Sequence, residues 1–196
     1  MTKIFYKDKI FPNQKFNNEL FDESKGDFNE VIFHLLNNQD QDIIKNQKNF
    51  IFKEHHRVPF EEMSTPPVQV NLIKFLLQLI NGNTFLEIGT FLGSTSMHVA
   101  SFLGKDSKIV TIEKFHEFAE LARENIKVNK FSKNIQVLQG DARIIMNDIE
   151  NNFFDLIYVD GDKGNYLALT KLAEEKLSSK GIILVDDIFF HGDALN

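Results

Sequence analysis

Two short acidic segments in the last quarter of the sequence contain the residue types that bind a divalent cation. The first contains Asp160, Asp162 and Lys163, and the second is the pair Asp186-Asp187. Four carboxylates at neighbouring positions repel one another unless a cation neutralises them. Carboxylate oxygens are also the ligands that hard divalent cations prefer. The two segments therefore predict a metal site, although some of these side chains could instead point into solvent or cap helices.

Lys163 follows Asp160 closely enough to share the predicted metal site. A lysine that lies beside a metal ion and loses solvation has a lowered pKa, so it could act as a general base. The ordinary alternative is a surface lysine, or one that forms a salt bridge with Asp162. The residues themselves leave both possibilities open.

A glycine turn in the middle of the chain could hold a polar or anionic ligand. Residues 85–88 are a short apolar segment, Gly89 and Gly93 bound the turn, and residues 94–96 open a helical pattern. A strand that runs through such a turn into a helix brings backbone N–H groups and the positive end of the helix dipole together. The pattern predicts a ligand-binding loop without identifying the ligand.

Two further acidic residues follow later apolar segments. Glu113 stands where dinucleotide-binding folds have an acid for the ribose hydroxyls. The alternative is a solvated acid at a helix start, and the preceding glycine turn favours the ribose. Asp141, between Gly140 and Ala142, could cap the next helix and could also meet the amino group of an adenine. These two roles of Asp141 are compatible.

The alternation of apolar segments and helical patterns predicts the elements that position these residues. Strands are predicted over 85–88, 108–112, 135–138, 154–159 and 182–185, and helices over 68–81, 94–103, 115–129, 142–149 and 166–177. This order indicates an α/β fold, doubly wound around a mostly parallel sheet. Ligands of such sheets bind at the carboxyl ends of the strands, where the glycine turn and the acidic residues lie.

Residues 1–62 differ in composition from the remainder of the chain. They are rich in Asn, Lys, Gln and Phe, and residues 29–37 and 40–52 have apolar positions at helical spacing. We predict a partly irregular N-terminal helical arm or cap at 1–62, followed by a ligand-binding domain at 63–196. The alternative for residues 1–25 is a disordered extension.

The composition excludes several classes of protein. The net charge of −6 argues against broad binding of nucleic acid or of an anionic membrane surface. The chain has no cysteine, which excludes a thiolate nucleophile and cysteine-ligated zinc. No apolar run approaches the ~20 residues of a membrane-spanning helix, and the first residues lack the apolar core of a signal peptide. We therefore expect a cytoplasmic protein.

The motifs, taken in order, resemble the cation-dependent class I O-methyltransferases related to the caffeoyl-coenzyme A and catechol enzymes. The resemblance covers about residues 59–196. It is carried by Glu113, by Gly140-Asp141-Ala142, and by FLEIGTFLGSTS at 85–96, IYVDGDKGNY at 157–166 and LVDDIFFHGD at 184–193. It implies a Rossmann-like methyltransferase sheet and S-adenosylmethionine as methyl donor. It also implies Mg²⁺ or another divalent cation such as Mn²⁺ or Ca²⁺, and a small aromatic diol as acceptor.

The resemblance implies which residues bind each reactant. Asp160, Asp186 and Asp187 would hold the metal. Lys163 would take the proton of the acceptor hydroxyl as the oxygen attacks the sulfonium methyl group. Met63 and Gln69 match a segment that closes over both reactants, with Met63 touching the donor. The other positions that match donor contacts are Glu87, Gly89 and Thr95 at the methionine end, Glu113 at the ribose, Asp141 and Ala142 at the adenine, and Asp160.

The sequence departs from the family pattern in two important places. Asp187 stands where Asn is usual, which adds negative charge and could change the metal preference. The chain also ends at Asn196, where family members continue for an antiparallel hairpin. We therefore expect a missing C-terminal hairpin and a truncated chain. The alternative is that the N-terminal arm or a second subunit, as in a homodimer, covers the apolar edge of the last strand.

Two other functions remain open at this point. The missing hairpin motivates a truncated, non-catalytic module that binds S-adenosylmethionine or a partner chain. A nicotinamide-dependent oxidoreductase is disfavoured, because the turn from Gly89 to Gly93 lacks the G-x-G-x-x-G spacing. The carboxylates of the two acidic segments also have no role in hydride transfer.

Overall fold

The computed structural model describes residues 64–188 together with Ile44 and Lys48. Strands and helices alternate through the described part of the chain, as predicted. The strands are β1 (Thr84–Ile88), β2 (Lys108–Glu113), β3 (Ile135–Gln139), β4 (Phe154–Val159) and β5 (Leu177–Val185). The helices are α1 (Pro67–Leu79), α2 (Ser94–Leu103), α3 (His116–Val128), α4 (Ala142–Ile145) and α5 (Tyr166–Lys176). Two 3₁₀ turns, Met146–Asp148 and Lys163–Asn165, precede β4 and α5 respectively.

The five described strands form one parallel sheet in the order β3-β2-β1-β4-β5. The chain builds the sheet outward from β1 to β3, and then returns to place β4 and β5 on the other side of β1. The order of strands therefore reverses between β1 and β4, and in such sheets the ligand site lies at this reversal. The predicted doubly wound α/β fold is confirmed.

Helices cover both faces of the sheet. One apolar cluster joins Phe85 of β1 to residues of α1, α2 and α3, such as Leu77 and Met97. The other joins Leu86 of β1 to residues of α5, such as Leu169. Because neighbouring strand residues point to opposite faces, a strand that is covered on both sides has a continuous apolar sequence. This is why β1 and β4 carry the plainest strand patterns in the chain.

The last strand differs from the prediction. We predicted a loop over residues 178–181, but β5 already begins at Leu177, which pairs with Phe154. The extra residues bulge out of the strand before regular pairing with β4 resumes. The Ser178 hydroxyl donates a hydrogen bond to Asp155 at 3.0 Å. A polar segment is thereby held at the sheet instead of forming a free connection.

The predicted N-terminal arm at 1–62 lies outside the described residues, apart from two positions. Ile44 packs against the cluster on the α1 face. The main chain of Lys48 is bound by the buried side chain of Asn125, whose Oδ1 accepts from Lys48 N at 2.8 Å and whose Nδ2 donates to Lys48 O at 3.2 Å. These contacts join that part of the chain to α3.

None of the helices within residues 64–188 is both long enough and apolar enough to span a bilayer.

Candidate functional site

The carboxyl ends of β1, β4 and β5 bring the glycine turn and both acidic segments to one edge of the sheet. Asp160 N donates a hydrogen bond to Ile88 O at 2.9 Å, and Asp186 N donates one to Val159 O at 3.0 Å. The residues that follow three adjacent strands are therefore neighbours. The expected clustering of these side chains is present, at the reversal point of the sheet.

Three carboxylates form the centre of this edge. One oxygen from each of Asp160, Asp186 and Asp187 lies within 4.8 Å of the other two. Ligands on opposite sides of an ion are about 4 Å apart for Mg²⁺ and about 5 Å apart for Ca²⁺. The oxygen set therefore fits a hard divalent cation with little movement. We call Asp160, Asp186 and Asp187 the acidic cluster.

The fourth carboxylate of these segments plays a different part. Asp162 is exposed, and its side chain accepts a hydrogen bond from Gly164 N at 3.2 Å. It thereby caps the 3₁₀ turn Lys163–Asn165. For this residue, the capping alternative that the sequence left open is what the structure shows.

Lys163 lies inside the acidic cluster. Its Nζ is 2.8 Å from Asp160 Oδ1 and 3.1 Å from Asp187 Oδ2. Burial alone would lower the pKa of Lys163, but its contacts with Asp160 and Tyr166 and the charge of Asp160 outweigh burial and raise the pKa above its ordinary value. The predicted lowering of the Lys163 pKa therefore does not occur while the ammonium group is paired in this way. A lowered pKa of Lys163 requires another positive charge that competes for the same carboxylates.

Burial also changes the ionisation of Asp160. It raises the pKa of this carboxyl to about 6, although the hydrogen bond from Lys163 opposes the change. The charges of Asp186 and Asp187 act in the same direction as burial. A nearby cation would stabilise the ionised form of Asp160, because it offsets both the cost of burial and the repulsion from the other two carboxylates.

Two side chains hold Asp186 in place. Gln69 Nε2 donates to Asp186 Oδ1 at 2.6 Å, and the Tyr158 hydroxyl donates to Asp186 Oδ2 at 2.6 Å. Gln69 comes from α1 and Tyr158 from β4, so the acid is tied to two elements. No role was predicted for Tyr158 from the sequence. The available signal was that Tyr158 carries the hydroxyl group of β4 and stands two residues before Asp160.

Glu87 is a buried carboxyl beneath the glycine turn. It is 1% exposed, and its Oε2 accepts hydrogen bonds from Ser96 Oγ at 2.6 Å and Thr111 Oγ1 at 2.7 Å. Burial raises the pKa of Glu87 from its ordinary value of 4.5 to about 7, although both hydroxyls lower it. The structure thus places an acid that changes charge near neutral pH under the predicted donor loop.

The pH dependence of folding stability tests this environment. Because the pKa of Glu87 is about 7 in the folded chain and near 4.5 otherwise, the folded chain keeps a proton that the unfolded chain releases between these values. Relative to the Glu87→Gln variant, wild type should therefore lose stability as the pH rises from 4.5 to about 7. The full loss should be about 3 kcal/mol above that range. Denaturant unfolding of both proteins at about pH 5 and about pH 8 measures it, and a constant difference would contradict it.

Gly89 is required by the chain itself. A Cβ atom at this position would lie 2.1 Å from the carbonyl oxygen of Asp160, and φ is +106°. The glycine turn and the segment after β4 are therefore in direct backbone contact. Thr95, in the first turn of α2, donates a hydrogen bond to Thr65 Oγ1 at 2.7 Å. The contact of Gly89 and Thr95 with a methyl donor stays a prediction.

Glu113 lies on the other side of the glycine turn. Its Oε2 accepts from Phe91 N and its Oε1 from Phe115 N, both at 2.9 Å, and the side chain is 5% exposed. Burial raises the pKa of Glu113. The alternative of a solvated acid does not describe this residue. Each oxygen keeps a further lone pair, so the predicted ribose contact is compatible with the geometry.

Asp141 caps α4, as one of its two predicted roles required. Its Oδ1 accepts from Arg143 N at 2.9 Å, and its Oδ2 accepts from Arg143 Nη2 at 2.6 Å. The Arg143 side chain holds the pKa of Asp141 down to about 2. The adenine contact of Asp141 and Ala142 stays a prediction, and Met63 lies outside the described residues.

The chain is similar in sequence to known O-methyltransferases. A family described as O-methyltransferase matches residues 36–196. A caffeoyl-CoA O-methyltransferase of Eucalyptus globulus is 30% identical over 70% of this chain and 57% of its own length. A catechol O-methyltransferase of Mycobacterium tuberculosis is 30% identical over 62% of this chain and 57% of its own length. A probable caffeoyl-CoA O-methyltransferase of Dictyostelium discoideum is 25% identical over 84% of this chain and 72% of its own length. The chain thus spans 57 to 72% of these relatives.

Solved structures that share this fold also include methyltransferases. The O-methyltransferase TomG from Streptomyces achromogenes, solved with SAM, has a TM-score of 0.64 and 25% identity, over 69% of this chain and 62% of that one. The SAH-bound methyltransferase PaMTH1 of Podospora anserina has a TM-score of 0.64 and 26% identity, over 71% of this chain and 61% of that one.

Proposed function

Because this chain belongs to the family of S-adenosylmethionine-dependent O-methyltransferases, we propose that it methylates a hydroxyl group of a small, catechol-like aromatic acceptor with the help of a divalent metal ion. The observation that supports this most strongly is the acidic cluster beside the glycine turn. Methyl transfer needs a site for the donor and a site for the acceptor. The turn and the cluster would supply one each, in direct contact.

The donor would bind over the glycine turn. Glu87 and Glu113 place two buried carboxyls on either side of it, and Thr95 opens the helix that follows. An ionised Glu87 complements the ammonium group of a methionine moiety, and Glu113 complements ribose hydroxyls. Asp141 and Ala142 would lie at the adenine. The positive end of α2 adds a favourable field for the donor's carboxylate.

The acidic cluster would hold the metal ion, with Mg²⁺ as the expected ion and Mn²⁺ or Ca²⁺ as alternatives. When bound, such an ion lowers the pKa of a hydroxyl group and orients it through its oxygen. The hydrogen bonds from Gln69 and Tyr158 hold Asp186 in place within the cluster. Asp187 makes the set triply anionic, which favours a divalent cation over a monovalent one.

Lys163 would act as the general base. Its Nζ already lies at the cluster, 2.8 Å from Asp160 Oδ1, and as a neutral amine it could accept the proton of the acceptor hydroxyl. The O–H bond breaks, the oxygen forms a bond to the methyl carbon, and the electrons of the S–C bond stay on sulfur. Holding the two reactants in line supplies a large part of the rate.

A methyl-transfer assay over a panel of catechols tests the proposal. With Mg²⁺ the chain should methylate at least one catechol, and EDTA should lower the rate at least about 100-fold. Excess Mg²⁺ should restore it, while calorimetric binding of S-adenosylmethionine stays unchanged by EDTA. Activity that survives EDTA would contradict metal dependence. Donor binding without turnover across the panel would favour the non-catalytic alternative.

A further inference from the structure

We propose that Tyr166 is a positioning residue that receives the Lys163 ammonium group when a divalent cation occupies the acidic cluster, a role that rests on the proposed function above. Lys163 would then have two positions. In one it pairs with Asp160 and Asp187, as described. In the other it is hydrogen-bonded to the Tyr166 hydroxyl, clear of the metal ion and available to the acceptor.

The first step is that the lysine and a metal ion would compete for the same carboxylates. Lys163 Nζ contacts one oxygen of Asp160 and one of Asp187, at 2.8 and 3.1 Å. A divalent ion would sit about 2.0 to 2.6 Å from its ligand oxygens. An ammonium group cannot stay at hydrogen-bond distance from the same atoms, because two positive groups would then be in contact. An ion bound to either of these two oxygens would therefore displace Lys163.

The second step is that the hydroxyl group of Tyr166 lies beside the lysine without a well-formed hydrogen bond. Among the described residues its oxygen is buried and has no hydrogen-bond partner of normal geometry, although Lys163 lies near enough to lower the pKa of Tyr166. Lys163 Nζ is 5.3 Å from the centroid of the Tyr166 ring. A buried polar group without a well-formed hydrogen bond costs about 1–3 kcal/mol, so a full hydrogen bond from a displaced Lys163 would stabilise the metal-bound state.

The local backbone makes the movement short. Lys163–Asn165 is a 3₁₀ turn, and Tyr166 is the first residue of α5. In a 3₁₀ turn, side chains three residues apart are stacked one over the other. Lys163 therefore reaches the Tyr166 hydroxyl by rotating its own side chain, without a change of fold.

The charge state of Tyr166 suits this role. Burial raises its pKa to about 12, although Lys163 lowers it. The hydroxyl is therefore neutral, and its oxygen can accept a hydrogen bond from the ammonium group while its proton remains available to another acceptor. Neutrality also means that Tyr166 does not compete with the acidic cluster for the metal ion.

The test is a double-mutant cycle with metal affinity as the readout. Mn²⁺ binding is measured by calorimetry for wild type, Tyr166→Phe, Lys163→Met and the double variant. Tyr166→Phe should weaken Mn²⁺ binding about fivefold, the value of one hydrogen bond. Lys163→Met should tighten it about tenfold, because the competing cation is gone. In the Lys163→Met background, Tyr166→Phe should have no effect.

Two results would overturn the proposed role of Tyr166 without affecting the proposed function. One is an unchanged Mn²⁺ affinity in Tyr166→Phe, and the other is an equal loss with and without Lys163, which would mean a direct or structural role for the hydroxyl. Tyr166→Phe removes a buried group that has no well-formed hydrogen bond, so it should not lower the melting temperature. Failure of both wild type and Lys163→Met to bind Mn²⁺ would overturn the metal site of the proposed function, and this role of Tyr166 with it.

Discussion

Replacing Asp160 with asparagine is expected to lower kcat at least about 100-fold and to leave the affinity for S-adenosylmethionine within about threefold of wild type. Asparagine keeps the shape of the side chain but removes the negative charge that Lys163 and the proposed metal ion share. The donor contacts proposed for the glycine turn do not use this charge, and asparagine keeps the main chain and a side-chain oxygen for the donor contact predicted at Asp160. Steady-state kinetics over a range of Mg²⁺ concentrations and calorimetry with the donor measure the two quantities separately.

Asp162→Asn is the matched control for this prediction. Asp162 belongs to the same loop and carries the same charge, but it is exposed and caps a 3₁₀ turn. An asparagine oxygen can accept the same backbone hydrogen bond, so kcat should stay within about twofold. A wild-type kcat in Asp160→Asn, or an equal loss in Asp162→Asn, would show that the cluster is not where catalysis occurs.

Gly89→Ala is expected to lower the free energy of unfolding by at least about 4 kcal/mol, enough to leave little folded protein. The new Cβ would lie 2.1 Å from the Asp160 carbonyl oxygen, and φ is +106°. The two segments cannot simply separate, because Asp160 N is hydrogen-bonded to Ile88 O at 2.9 Å. Denaturant unfolding followed by circular dichroism measures the loss.

Gly104→Ala separates the steric contact from the backbone strain. Gly104 ends α2 with φ of +83°, and a Cβ atom there would meet no atom within 4 Å. Only the backbone strain remains, because φ of +83° with ψ of −169° is a region populated almost exclusively by glycine, at a cost of about 1–3 kcal/mol. If both alanine variants lost the same stability, the close contact between Gly89 and Asp160 would not be the cause.

The fold followed from the sequence because its signals are local. The buried strand at 154–159 is a nearly continuous apolar run, and it was predicted with the bounds that the structure has. The start of β5 was missed because it depends on pairing with β4, where Leu177 finds Phe154 before the polar residues bulge out. Nothing in the local sequence reports which strand a residue will pair with.

The residue types of the candidate site could be predicted from the sequence, but only some of the contacts between them could. Topology alone brings Asp160 and Asp186 together, since both follow strands that are neighbours in the sheet. The hydrogen bonds from Gln69 and Tyr158 to Asp186 were not foreseen, because they join segments that are far apart in the chain. An aromatic residue in a buried strand is ordinarily interpreted as part of the core. The pairing of Lys163 with two carboxylates likewise required their positions in space.

The contact between Gly89 and Asp160 also determines when the ordering of the site occurs. With no space between the two backbones, the glycine turn and the segment that begins with Asp160 form one rigid unit as soon as β1 and β4 pair. The conformational entropy of the site is then lost during folding, and little remains to be lost when the reactants bind. If the donor and the acceptor bind as proposed, the main-chain geometry of this unit would set the angle at which they meet. That angle should then tolerate wide variation in the side chains that select the acceptor.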